Sequence, residues 1–489
     1  MIDRNSPIPI YYQLKLLLKQ QILDNVLQPG AQLPTEQDFC QIYMISRAPV
    51  RQALTELVQE GFIYRRPGIG TFVADPNSTS ETIPPTRFRL LANDMRWVSL
   101  LERTVNHWNA TRPKHPIKLE VELPEASRFH QTLRSATVQG NAPDLVSIDY
   151  VWLTGYARSA YLTSIQRLDP EWAAWMQSEL EAPVRDNHAP DGVLSGIPMQ
   201  ADVTGLWYRR DWFETEGLKP PQSWTEWLTL LEYFNRSEIK QRYHYQYPLA
   251  FPCSLLSQEA AVNIFFPFIW MCGGDLLTAD GELTLASPEV YQALAFLQSL
   301  AQQYKYLPPD SADFHWWDVP RLLAKGQVPM TLGGSYEWPV ICEESGWESE
   351  EELLQHLAFV PVPPPVAGQR PVVSLGGTTW VIPEQSDHKE LSLALVKEAI
   401  TSTWITDFYA ESFQISPYKS INQRLAAEHP WMQTLIPLLE IARPRPLTEQ
   451  YVRISRFLLQ MFEKVVWEGA PVQETVEEMA DYLKLLLAG

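Results

Sequence analysis

Two pairs of arginines have a spacing that suits nucleic-acid chemistry. Arg47 and Arg51 lie four residues apart, so a helix carries both on one face. Arg65 and Arg66 sit beside a Pro-Gly turn in FIYRRPGIGTFVA. A helix with arginines near its N-terminus can place them on base edges and phosphates in the major groove, while a basic wing rests on the adjacent backbone. A pair of carboxylates, Asp149 and Asp202, lies in apolar segments, where an unpaired charge is costly to bury. Two carboxylates at a controlled separation also serve glycosidases, but no catalytic motif accompanies these two. A pyridoxal cofactor needs a lysine in a small-residue context. Lys219, Lys240 and Lys305 lie in polar segments and Lys325 in a helix end, so none fits. Cys40, Cys253, Cys272 and Cys342 form no CxxC pair or regular spacing, which leaves neither a zinc site nor a disulfide framework to expect. No enzyme activity, metal or cofactor is predicted.

The arginines need a scaffold, and the surrounding pattern supplies one. Between Pro9 and Val26, Ile10, Leu14, Leu18 and Ile22 recur every four residues, the period of one apolar helical stripe, and Pro29-Gly30 stops it. Thr35 stands at an N-cap position with Glu36 and Asp38 in the following turn, predicting a short second helix to about Tyr43. After a turn at Met44-Ile45, Ser46 can cap a third helix whose Val50, Ala53, Leu54 and Leu57 face a core. Pro49 falls early enough in that helix to remove only an N–H that had no partner. Gly61 closes the helix, and two short strands around the Pro-Gly turn form the wing.

The order PIYYQL, LQPGAQLPTE, SRAPVRQALTELVQEGFIYRRPGIGTFV resembles the GntR family of bacterial regulators over about residues 8–74. The resemblance implies a winged helix-turn-helix, mostly helical with a β wing, that binds double-stranded operator DNA. It implies operator contacts from Thr35, Ser46, Arg47 and Arg51. Arg65, Arg66 and Thr71 belong to the wing, and Gly68 and Gly70 let it approach phosphate. Gln37 departs from the family, which often has arginine there.

Residues 76–89, within DPNSTSETIPPTRFR, are polar, proline-containing and aperiodic, as in a linker. The region of roughly 400 residues that follows fits either an aminotransferase-like domain or a two-lobed solute-binding protein. The succession IKLEVELPEA, NAPDLVSIDYVWLTGYARSAYLTSIQRLD, GIPMQADVTGLWYRR, WMCGGDLL, GQVPMTLGGSYEWPVI and SLGGTTWVIPEQ is similar to bacterial extracellular solute-binding proteins of carbohydrate importers, the maltose-binding class. That resemblance implies a two-lobed α/β fold over residues 90–489, one lobe from 90–202 and 356–400, the other from 203–355 and 401–489. It implies a cleft ligand, a sugar or related solute, held near Asp149, Tyr150, Trp152, Asp202, Trp270, Tyr336, Trp338, Gly377, Thr378 and Tyr451. Aromatic faces and planar hydrogen-bonding groups are what a sugar requires. The remaining tryptophans Trp172, Trp175, Trp224 and Trp227 are expected to pack.

Charge and composition bear on the choice between a regulator and a transport receptor. The 489 residues carry a net charge of −19, yet residues 1–75 hold seven basic and seven acidic groups. A neutral reader before an acidic body confines DNA to one face. The N-terminus lacks a basic stretch followed by an apolar one, and no apolar run approaches the ~20 residues that span a bilayer. The sequence is therefore expected to be that of a cytoplasmic, homodimeric DNA-binding regulator that senses a small solute without a membrane partner. Dimerisation is expected because paired half-sites multiply the few base contacts of one module.

Overall fold

The four-residue apolar repeat becomes α1 (Ile10–Leu23), which buries Leu14, Leu18 and Ile22. The computed structural model describes every residue except 1, 3–9, 25, 61, 67–69, 75–83, 126–127, 159–160, 190–191, 279, 348 and 489. Two compact units divide the chain, Met1–Leu123 and Pro124–Gly489.

In the first unit, α2 (Glu36–Tyr43) opens on a capping box: the Thr35 hydroxyl accepts from Asp38 N, and the Asp38 carboxylate accepts from Thr35 N. Met44, at φ 53°, ends α2 in the left-handed region and turns the chain into α3 (Arg47–Gln59). Ser46 flanks α3 as expected, but its side chain makes no capping hydrogen bond. Val50, Ala53, Leu54 and Leu57 close a small core with α1, Leu33, Phe39, Ile63 and Val73. The wing is the antiparallel pair β1 (Ile63–Arg66) and β2 (Gly70–Val73), in register from Ile63↔Val73 to Arg66↔Gly70. Gly61, Gly68 and most of the expected linker lie outside the described residues.

The unit continues with β3 (Thr86–Leu91), α4 (Met95–Thr111) and β4 (Ile117–Glu122), the strands pairing in parallel around the intervening helix. Residues 86–89, expected in the linker, thus begin a strand. The physical reason is alternation: Phe88 and Leu90 turn into the core, while Arg87 turns out to pair with Glu120.

The second unit holds two sets of strands. In one, β11 (Thr378–Val381) pairs antiparallel with both β5 (Leu145–Asp149) and β6 (Ile197–Pro198). In the other, β7 (Asp202–Arg209) pairs antiparallel with β8 (Met330–Gly334), β9 (Leu357–Val360) and β10 (Val373–Gly376), and β10 pairs parallel with β12 (Ala442–Pro444). β7 has neighbours on both sides and is buried along nearly its whole length.

The chain passes from one set to the other through 199–201, which join β6 to β7, and returns through Gly377, which joins β10 to β11. The backbone N–H groups of Met199 and Gln200 both donate to Thr378 O, at 2.8 and 3.1 Å, so the two crossings lie side by side. This pairing revises the lobe boundaries expected from sequence. Residues 357–376 pair with β7 and belong with 202–209, so the return falls at 377 rather than at 356. Residues near 409–418, expected with the second lobe, meet the β6 end, where Tyr409 donates to Met199 O and Tyr418 to Pro198 O.

Gly377 sits at φ 142°, and a Cβ there would come within 2.1 Å of Gln200 O, a backbone atom held by the neighbouring crossing. Replacement by alanine is expected to destabilise the protein by about 2–3 kcal/mol, through strain at this joint. Denaturant unfolding should show a lower midpoint; an unchanged midpoint would remove the close crossing as a constraint.

Candidate functional site

The arginines singled out in the first unit stand on α3 and the wing, beside α2. Arg47 Nε donates to Glu36 Oε2 at 3.0 Å, and Arg51 Nε lies 3.6 Å from the same oxygen. The arginines are 69% and 62% exposed, so these ion pairs are weak and orient the guanidinium groups without tying them down. Glu36 was legible in the sequence only as a first-turn acid; its hold on both arginines comes from the angle between α2 and α3. Thr35 and Ser46 are exposed at the starts of the two helices. Across the wing Arg65 pairs with Thr71 and Arg66 with Gly70, whose φ of 149° sets the strand against the Gln32 side chain. Gln37 is exposed beside them.

In the second unit the ends of β5 and β11 meet: Asp149 is in register with Thr378, and Tyr150 N donates to Gly377 O at 3.2 Å. The Asp149 carboxylate accepts from Val151 N and so stops the strand, which turns Tyr150 and Trp152 toward Tyr451. Sequence reasoning missed the group that organises this corner, Arg445. Its side chain is 1% exposed; Nη1 donates to Glu259 Oε2 at 2.5 Å and to Tyr451 Oη at 3.3 Å, and Nη2 reaches Asp149 Oδ1 at 3.3 Å. Tyr451 in turn donates to Glu259 Oε2 at 3.1 Å. Tyr150 donates to Leu375 O at 2.5 Å and accepts from Arg445 N. Burial works against the arginine's charge, and the surrounding phenols and carboxylates overcome it, holding its pKa well above the usual value. Burial raises the Glu259 carboxyl, with Arg445 opposing. Nε of Arg445 is buried without a partner.

Tyr336 and Asp202 complete the corner. Tyr336 packs edge-on to Trp316, its hydroxyl is buried without a partner, and burial followed by the nearby Glu337, Asp202 and Asp149 carboxylates pushes its pKa well up. Asp202 opens β7 and accepts from Gln200 Nε2 at 2.7 Å. Beside Tyr336, the Glu337 carboxyl is fully buried and lies where a side chain at Gly333 would be, and burial holds it well above the usual carboxylate range. Trp316 is a contact that no sequence pattern pointed to.

Two of the expected ligand residues are placed elsewhere. Trp338 is fully buried between Trp207, Phe413 and Trp431, in an aromatic core with no face open to a solute. Trp270 donates to Asp275 and stacks under Arg443, eleven residues along its helix (Glu259–Met271) from Glu259. That spacing is roughly 16 Å along the axis. Trp152 does adjoin Tyr150 and Tyr451, but its ring is met edge-on by His130 at 4.3 Å. A buried guanidinium ringed by carboxylates and phenols, with the half-buried Trp152 ring beside it, carries the donors and acceptors that hydroxyl groups pair with.

Removing the arginine leaves two carboxylates facing each other in a largely buried site. Arg445→Met is expected to destabilise the protein by about 3 kcal/mol, with a large part regained in Arg445→Met/Glu259→Gln. Equal unfolding midpoints for the single variant and the wild type would show that solvent already screens the cluster. His188, buried beside Tyr150, gives a pH signature: Nδ1 bonds Val184 O, and burial lowers its pKa to about 4. The native protein thus resists a proton that the unfolded chain accepts near 6.5. Stability is complete above that pH and is lost as pH falls through about 4. Thermal unfolding of His188→Gln should fall less between pH 7 and pH 5 than that of the wild type; parallel falls would place the acid-sensitive group elsewhere.

Comparison with known proteins agrees with both halves of this description. Residues 96–404 match the family of bacterial extracellular solute-binding proteins, and residues 10–73 match the bacterial regulatory proteins of the gntR family. Over 75 residues the chain is 52% identical to the HTH-type transcriptional repressor NagR of Bacillus subtilis (strain 168), a match that covers 15% of this chain and 31% of that protein. This chain spans about a third of the length of the first curated relatives it matches, 31%, 34% and 32%. It is 20% identical over 309 residues to the arabinooligosaccharide-binding protein of Halalkalibacterium halodurans, covering 60% of this chain and 63% of that one. Among solved structures, maltose-bound T. maritima MalE3 superposes with a TM-score of 0.69 at 20% identity, covering 82% of this chain and 100% of the other. A Thermotoga lettingae TMO solute-binding protein bound with alpha-D-tagatose gives the same TM-score at 21% identity, over 82% of this chain and 99% of that one. Of the two folds the sequence left open for the C-terminal region, the chain has the two-lobed α/β one. The chain belongs to the bacterial extracellular solute-binding protein family and carries a GntR-family helix-turn-helix at its N-terminus.

Proposed function

We propose that this protein is a DNA-binding transcription regulator whose operator occupancy is set by a small solute in the cleft of its solute-binding fold. The observation that carries the reading is the joining, in one chain, of a winged helix with exposed Arg47 and Arg51 to a two-lobed fold with a buried polar corner at Arg445. A saccharide is the solute that the corner fits best, because carboxylates, a guanidinium and phenols are the groups that pair with sugar hydroxyls. The names of the relatives support this: an arabinooligosaccharide-binding protein on one side and transcriptional repressors on the other. The protein acts in the cytoplasm, as a homodimer, because operator DNA is there and one winged helix makes too few base contacts for specificity. Among the described residues no helix is long and apolar enough to cross a membrane. Ligand closes the cleft and changes the affinity of the two readers for DNA by preferring one state.

A duplex selected from a random library by the wild-type chain provides the test. Arg47→Ala and Arg51→Ala are each expected to weaken binding about tenfold or more in fluorescence anisotropy. In a panel of mono- and oligosaccharides, at least one should raise the unfolding midpoint and change duplex affinity about fivefold or more. Retained affinity in both arginine variants would remove α3 from the DNA interface. A panel in which no saccharide stabilises the protein would remove sugars as the ligand class.

A further inference from the structure

Lys15 lies on the core-facing side of α1, next to Leu14, and its side chain is fully buried. Its ammonium meets three carboxylates: Glu102 at 2.5 Å, Glu56 at 2.9 Å and Glu60 at 3.1 Å. Lys19 adds a second contact to Glu60 at 2.7 Å, and the Tyr12 ring covers the Lys15 ammonium at 4.3 Å. One helical turn before Glu102, Ser99 lies 3.4 Å from the Tyr11 hydroxyl. Burial alone disfavours the Lys15 charge, and Glu102, Glu60 and Glu56 overcome it, so the ammonium stays protonated. The three carboxylates lie within 4.8 Å of one another, and the lysine occupies the position where their oxygens converge.

The origin of these groups is what gives the cluster meaning. Lys15, Glu56 and Glu60 fall within the segment matched by the regulator family, whereas Glu102 falls within the segment matched by the solute-binding family. Glu56 sits on the C-terminal half of α3 and Glu60 is the residue that caps its end, while the N-terminal half carries Arg47 and Arg51. All four belong to one compact unit. A rigid helix turns a displacement at one end into a displacement at the other, and a buried ion cluster tolerates few alternative geometries.

We propose that Lys15 is a positioning residue that couples the reading helix α3 to α4, so that DNA on α3 is felt in the first helix of the solute-binding segment. By reciprocity, a solute that biases α4 biases α3 to the same extent. The inference rests on the reading of α3 as the DNA-contacting helix, and its test separates the two.

Amide hydrogen exchange of the full chain, with and without the selected duplex, is the measurement, on wild type, Glu102→Gln, Lys15→Met and Arg51→Ala. In the wild type the duplex is expected to slow exchange in both α3 and α4. In Glu102→Gln, α3 should still be protected while the DNA-induced slowing of α4 shrinks about fivefold or more. Lys15→Met should behave alike. Should that variant fail to fold, the near-isosteric Glu102→Gln decides the matter. An unchanged DNA-induced difference in α4 overturns the coupling, even if basal exchange rises in α1, α3 and α4 together, since that pattern is the one a purely structural role produces. Absence of duplex protection on α3, or undiminished binding by Arg51→Ala, overturns the DNA-reading assignment and the coupling with it.

Discussion

The second unit depends on one buried guanidinium. Arg445 follows β12 of one strand set, and its donors reach Asp149 at the end of β5 in the other set and Glu259 at the start of a helix. Each partner stands at the end of an element, so the cluster fixes where those elements stop. Tyr150 and Tyr451 close around it, which excludes water and strengthens each charge interaction. The crossings at 199–201 and Gly377 run past the same corner, because Thr378 is in register with Asp149 and also accepts from Met199 and Gln200. A solute bound at this corner would therefore touch the joint between the strand sets, where a small displacement has the longest lever.

The N-terminal unit was the most legible part of the chain, and the reason is local. A helix period, an N-cap at Thr35 and an apolar face at Val50, Ala53, Leu54 and Leu57 act within a few residues of one another, so the order of the letters reproduces the order of the forces. Arg47 and Arg51 share an exposed face for the same reason. The corner at Asp149 was legible in part. Asp149, Tyr150 and Tyr451 lie together, and the cost of burying a carboxylate in an apolar strand is met by a partner. The partner itself was not found: Arg445 is 296 positions from Asp149, and its local signal was no more than an arginine held between Pro444 and Pro446.

Trp338 shows the opposite failure. A tryptophan after a Gly-Gly-Ser turn has the same local signature whether its ring faces a solute or a core, and the outcome depends on Trp207 and Trp431, contributed by distant segments. The lobe boundaries failed for a related reason. A strand's neighbour is set by pairing across the fold, and nothing near residue 356 records that β9 will pair with β7. Gly377 was flagged for its place near a ligand; its backbone conformation against Gln200 is an additional demand that no other residue type meets easily.

Buried charge occurs in this protein at joints, and that placement follows from its energetics. A fully buried lysine or arginine with several carboxylates gains little over an apolar replacement of similar volume, because desolvation offsets most of the attraction. Its value lies in geometry, since an apolar contact slides while a donor set aimed at two or three oxygens does not. Around Lys15 the constraint joins α1, α3 and α4, and around Arg445 it joins β5, β12 and the helix from Glu259. Neighbouring cores are plain: the cluster of Leu14, Leu18, Phe39 and Leu54 in the first unit has the ordinary composition of a small helical domain. Stability is supplied by those cores. The charge clusters instead limit the arrangements the elements can adopt to a few, and a regulator that must occupy one of two states needs that restriction more than it needs additional stability.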